Sequence, residues 1–171
     1  MKKYFSFSIH SVSFALRIML GCSIAWWSLH AVHDKSKVWA LISVIIVSDP
    51  DFNIVRNNAI ARFINTTTGC LLGLICLFLI GVNVWSLMTG IILAAIFSTS
   101  FKNYPANWKL APTTVVIIIA PAIFENEKVD AALIFALTRT AEVLYGSLIA
   151  LGLGFVYHKF KDWKERPKSG K

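Results

Sequence analysis

Two ionisable residues stand three apart inside an otherwise uncharged stretch: Arg139 and Glu142, in the 27-residue run Ala131–Tyr157. On a helix that spacing puts both on one face. Arg139 lies about nine residues, ~13 Å of helical rise, beyond the start of the run. Burying such charges in an apolar medium costs ~2.5–3.5 kcal/mol each on insertion scales, so they mark a functional site by default. Two uses fit. Arg139 attracts an anion while Glu142 handles a coupling proton or holds an arginine, or the pair is an interhelical clamp. A second constellation is Arg62, Asn65, Thr66, Gly69, Gly73 and Cys76, whose spacing keeps them on one helical face. Arg62 and Thr66 have the chemistry to bind an anion by charge-assisted hydrogen bonds. The plainer reading of Arg62 is a basic anchor that snorkels to headgroups.

Smaller features accompany these. Gly69-x-x-x-Gly73 permits close approach of two backbones and reads as a packing seam, and Gly146 follows Arg139 at the interval by which Gly69 follows Arg62. Asp49-Pro50-Asp51 is either an acidic turn facing a cavity, where Asp49 pairs with Arg62 or takes up a proton, or a solvated turn that caps the next helix. His30-x-x-His33-Asp34 has too few ligands for a metal site. The sequence holds no H-E-x-x-H, G-x-S-x-G or phosphate-loop pattern. Neither an enzyme nor a cofactor is expected, and no transport is powered by nucleotide bound to this chain.

The elements that must position these residues follow from composition. Of 171 residues 56% are hydrophobic and 15% charged, with mean hydropathy +0.64. A soluble domain carries about 25% charged residues, so an integral membrane protein is expected, and disorder is excluded. The net charge of +8 reads as basic edges on an apolar body rather than a nucleic-acid surface. Cys22, Cys70 and Cys76 all lie in apolar runs, which is no disulfide framework.

Charge-poor runs define six segments: Val12–Val32, Val38–Val47, Phe63–Val82, Val84–Phe101, Leu110–Phe124 and Ala131–Tyr157. A spanning helix takes about 20 apolar residues, so the second and fifth are short. Val44–Val47 and Val115–Ile119 have strand-forming composition, but a backbone in lipid must satisfy its own hydrogen bonds, which favours helix. The expected fold is all-α with six transmembrane helices. Residues 1–158 form one transporter-like domain and 159–171 a basic cytoplasmic tail. Lys2 and Lys3 before an apolar stretch, with Met19-Leu20-Gly21-Cys22, loosely match a signal peptide. Arg17 interrupts the would-be core, so a retained first span is expected. With both termini cytoplasmic, twelve Lys and Arg outside the spans face inward and only Lys35, Lys37 and Lys128 outward.

The halves echo one another. Short helices beginning near Trp39 and Trp108 reach Pro50 and Pro121, and each precedes a longer segment carrying an arginine. Three helices per half would give an inverted 3+3 repeat, the plan of many transporters. One shared spacing in a chain with nine glycines is weak evidence, so the repeat stays open.

The order Val38-Trp39-Ala40-Leu41-Ile42-Ser43, Asp49-Pro50, then Ala61-Arg62-Phe63-Ile64-Asn65-Thr66-Thr67-Thr68-Gly69-Cys70-Leu71-Leu72-Gly73 resembles the fusaric acid resistance and aromatic acid exporter superfamily. Its pattern is roughly Trp-Ala, then Pro, then Arg-x-x-Gly-Thr-x-x-Gly-x-x-x-Gly. Arg62, Thr66, Gly69 and Gly73 match, whereas Asn65 stands where glycine is usual. Arg139 and Gly146 resemble the last helix of the family's membrane domain. The resemblance covers roughly residues 12–158 and implies a transmembrane exporter of aromatic carboxylates or related organic anions. It also implies a dimer, since the plant malate channels among its relatives are dimers with basic pore linings. The expectation is an inner-membrane, proton-coupled efflux homodimer in a lipid bilayer. In it Arg62, Thr66 and Arg139 bind the anion, Glu142 or Asp49 handles coupling or ion pairing, and Gly69, Gly73 and Gly146 pack helices. A passive anion channel and a non-transporting scaffold subunit are the alternatives.

Overall fold

A computed structural model describes residues 9–31, 38–100, 108–124 and 129–165. Six helices account for nearly all of them: α1 (Ile9–Ala31), α2 (Val38–Val47), α3 (Phe52–Ile80), α4 (Val84–Ser100), α5 (Leu110–Phe124) and α6 (Val129–Glu165). No strand occurs among the described residues. Lys2, Lys3, Lys35, Lys37, Lys102, Lys128, Arg166, Lys168 and Lys171, which carry much of the expected orientation, lie outside the described residues, as do His33 and Asp34.

Two helices outrun their apolar stretches. α3 starts at Phe52 rather than Phe63, because the polar segment Asn53–Asn58 continues the helix once a cap is available. The Asp51 carboxylate supplies that cap, accepting from the Asn53 N–H at 2.8 Å. Likewise α6 continues past Tyr157 through the basic residues to Glu165. An absence of charge marks the greasy part of a helix, not its ends. At its far end α3 stops at Gly81, whose φ of 87° suits a residue without Cβ. Asn83 then opens α4, its Oδ1 accepting from the Ser86 N–H at 3.0 Å.

Contacts fix the relative directions. α6 runs antiparallel to α3: the Phe52 ring stacks on His158 with centroids 5.4 Å apart, Gly154 lies beside Val55, and Cys70 Sγ is 2.9 Å from Thr140 Oγ1. α1 is antiparallel to α6, with Gly21 near Leu153 and the Tyr145 hydroxyl donating to Ser28 Oγ at 2.8 Å. α2 lies parallel to α6 and α5 parallel to α3, while the tight Gly81–Asn83 turn folds α4 back on α3. The odd-numbered helices therefore point one way and the even-numbered ones the other.

Four glycines at helix contacts fall into two matching pairs. A Cβ on Gly21 would lie 2.8 Å from Val44 Cγ1, and one on Gly90 2.8 Å from Val115 Cγ1. A Cβ on Gly69 of α3 would strike the Ala111 carbonyl of α5, and one on Gly146 of α6 the Ala40 carbonyl of α2. α2 buries Ala40, Ser43, Val44 and Val47; α5 buries Ala111, Thr114, Val115 and Ile118. The hydroxyls of Ser43 and Thr114 each donate to a carbonyl four residues back, at 2.8 Å.

Three helical stretches, Ser11–Ala31, Phe52–Ile80 and Val129–Lys161, are long and apolar enough to cross a membrane. The other helices have 10, 17 and 15 residues. Large apolar side chains such as Met19, Trp27, Phe78, Leu79, Trp85 and Phe160 are exposed on the outside of the bundle. So much exposed apolar surface suits a non-aqueous surround.

Candidate functional site

α3 is the central helix, in contact with α2, α4, α5 and α6. Its buried face carries Arg62, Asn65, Thr66, Gly69, Cys70, Gly73, Cys76 and Leu77. The helix starts at Phe52, so Arg62 stands about ten residues inside it, ~15 Å of rise from its first residue.

Arg62 is 5% exposed. It has no ion pair among the described residues, and its Nε has no hydrogen-bond partner. Asn65, fully buried, donates through Nδ2 to the Ala61 carbonyl at 2.7 Å, which leaves its Oδ1 unpartnered. Thr66 Oγ1 also lacks a partner. Hydroxyls elsewhere in the bundle, those of Ser98, Thr140 and Ser147, donate to carbonyls four residues back. A buried charge is ordinarily paired, and each unsatisfied buried group needs a specific explanation. Here a cation, an acceptor and a hydroxyl with unused hydrogen-bonding capacity share one helical face.

Arg139 is in a different state. Its Nη1 is 2.8 Å from Glu142 Oε2, with the side chains 13% and 2% exposed. The guanidinium also lies 4.4 Å from the centroid of the Phe135 ring and 5.8 Å from that of Trp39. Arg62 and Arg139 do not converge. Cys70 faces Thr140, Arg62 precedes Cys70 by eight residues, and Arg139 precedes Thr140 by one. In antiparallel helices those offsets add to nine residues, about 13 Å along the bundle axis. Arg62 lies toward the end bearing the α2–α3 turn and Arg139 toward the α3–α4 turn.

Asp49 is not ion-paired with Arg62. Its carboxylate accepts from the Asp51 N–H at 2.9 Å, and its carbonyl accepts from the Arg17 guanidinium. The turn geometry that caps α3 thus occupies this carboxylate. Arg17 ties α1 to this turn and lies 5.1 Å from the centroid of the Tyr157 ring. Gly69 and Gly146 sit at helix crossings, as does Gly73, where a Cβ would contact Val115 at 3.7 Å. Asn65 was visible in the sequence as one member of a polar stripe and as the residue standing where glycine is usual. Its unusual state, fully buried with an idle acceptor, depends on packing against other helices. Among the described residues no group of three His, Cys, Asp or Glu side chains is placed to hold a metal.

An all-helical chain with long apolar helices, an apolar exterior and a buried cation has the makings of a membrane protein that handles polar solutes. The family is narrower: the sequence model of the fusaric acid resistance protein-like family matches residues 16–153, and the chain belongs to that family. Membership supports a transmembrane, transporter-like role. No curated protein and no solved structure matches the chain.

Proposed function

We propose that this protein is an efflux-type transmembrane transporter of organic anions such as aromatic carboxylic acids, working as a homodimer in a bacterial-type inner membrane with both termini cytoplasmic. One observation carries the reading: Arg62 is buried on the central helix with no counter-ion among the described residues. Leaving a guanidinium so costs several kcal/mol, and a negatively charged cargo would offset that cost when it arrives. Arg62 and the Thr66 hydroxyl receive the carboxylate. Arg139, on the other side of the bundle centre, is a second station, reached when its pair with Glu142 opens.

The inverted 3+3 repeat belongs to the same proposal. Its support is matched contacts: Gly69 on Ala111 and Gly146 on Ala40 cross between the halves, while Gly21 on Val44 and Gly90 on Val115 repeat within each half. Inverted repeats place substrate sites near the midplane at the repeat interface.

Glu142 is the one buried carboxylate among the described residues. It carries the proton in a coupled mechanism. Because its charge is already taken up by Arg139, a passive anion channel is a specific second reading. The test is flux of labelled benzoate in vesicles holding the purified protein. Transport driven by a pH gradient at zero voltage supports coupling, and current that follows voltage and ignores pH supports the channel. No flux of any aromatic acid under either force sinks both.

A further inference from the structure

α3 and α6 present the same frame with different contents. Each has an arginine, a buried polar side chain three residues later, and a buried glycine seven residues after the arginine: Arg62, Asn65, Gly69 and Arg139, Glu142, Gly146. The positions that follow are buried in both helices, Thr66 with Val143, Cys70 with Ser147, Gly73 with Ala150. Each glycine meets the carbonyl of an alanine early in a shorter helix, Ala111 or Ala40. In α6 the frame is filled by a carboxylate, 2.8 Å from the guanidinium. In α3 the corresponding residue is a neutral amide whose Nδ2 is turned back to the Ala61 carbonyl.

We infer that Asn65 keeps Arg62 open as a receptor for one monocarboxylate, whose carboxylate takes the seat that Glu142 fills beside Arg139. This rests on the organic-anion reading and adds the residue that sets the charge of the site. Arg62 and Glu142 are the buried charged residues among those described. With Glu142 committed to Arg139, one positive charge is left unbalanced. A monoanion cancels it, whereas a dicarboxylate or a phosphate dianion would leave a negative charge buried without a partner. The Thr66 hydroxyl donates to the second carboxylate oxygen. Asn65 is a specificity residue by virtue of lacking a charge: a glutamate there would stand to Arg62 as Glu142 stands to Arg139.

The test uses the full chain in phosphatidylcholine nanodiscs, with benzoate and succinate as probes of the thermal midpoint and benzoate flux measured in vesicles. Benzoate should raise the wild-type midpoint saturably, and succinate should bind about tenfold or more weakly. Asn65→Glu should raise the ligand-free midpoint toward that of the benzoate-saturated wild type, abolish the benzoate shift and lower flux at least about tenfold. Asn65→Gln, as long as glutamate but neutral, should lose clearly less of both responses than Asn65→Glu, which separates the effect of charge from that of size. A folded Asn65→Glu variant that binds and transports benzoate like the wild type overturns the inference and leaves the transporter reading standing. A wild type that neither binds nor transports any monocarboxylate removes both. Should Asn65→Glu not fold, Glu142→Gln decides: benzoate should then occupy two seats per chain instead of one, and an unchanged stoichiometry overturns the inference. Loss of the wild-type benzoate shift on adding phosphatidylglycerol identifies a headgroup phosphate as the occupant and overturns the small-molecule assignment.

Discussion

Arg62 and Arg139 are identical side chains in opposite electrostatic circumstances, and substitution should separate them. Replacing a buried unpaired charge with an apolar side chain of similar volume removes a desolvation cost, and such exchanges often stabilise by ~1–4 kcal/mol. Arg62→Met should therefore raise the unfolding midpoint in detergent while eliminating carboxylate flux. Unaltered flux in that variant would remove Arg62 from the site. Glu142→Gln does the reverse, removing the 2.8 Å ion pair from a guanidinium that is 13% exposed. Breaking a buried pair in this way costs about 3–5 kcal/mol, so the ligand-free midpoint should fall markedly, and a midpoint equal to wild type would show that the pair is not structurally required.

At the level of helices, stability rests on a few crossings where backbones touch. Gly69→Ala and Gly146→Ala each drive a methyl group into a carbonyl of the neighbouring helix, a clash that the bundle relieves only by separating the two helices. Overpacking of this kind costs ~1–3 kcal/mol or more. Gly152 has nothing within 4 Å of a Cβ, and alanine is the better helix former by ~1 kcal/mol. Thermal denaturation of the three variants should give two losses and one small gain; equal midpoints would mean that the crossings are looser than described. Removing the Asp51 carboxylate as Asp51→Ala should cost about 1 kcal/mol through the lost cap, seen as earlier hydrogen exchange over the first turns of α3.

The whole bundle alternates in direction, which puts the α2–α3 turn at Pro50 and the α3–α4 turn at Gly81–Asn83 at opposite ends. Accessibility labels introduced as Pro50→Cys and Asn83→Cys should react from opposite sides of sealed vesicles, Pro50→Cys from the cytoplasmic side on the proposed orientation. Reaction of both from one side would break the alternation. The fold also sets the distance between the two arginines. About 13 Å of axial offset puts them at different depths of the bundle.

The sequence by itself determined six helices, their approximate order and the apolar exterior, because in so hydrophobic a chain any backbone left unpaired is prohibitive and helix is the local solution. It also marked Arg62, Thr66, Gly69, Arg139, Glu142 and Gly146, since charge and missing side chains stand out against an apolar background. It left open whether α3 begins at the Asp49-Pro50-Asp51 turn, because polarity at a helix end looks the same whether the residues are coiled or free, and the cap at Asp51 decides for the capping turn. Only tertiary structure settled the states of the two arginines. Arg139 finds its counter-ion within its own helix, a local relation that spacing can reveal. That Arg62 has none among the described residues depends on what the neighbouring helices bring to its face and on the α2–α3 turn engaging Asp49 in its own capping. Those are contacts between residues distant in the chain, and no local pattern encodes them.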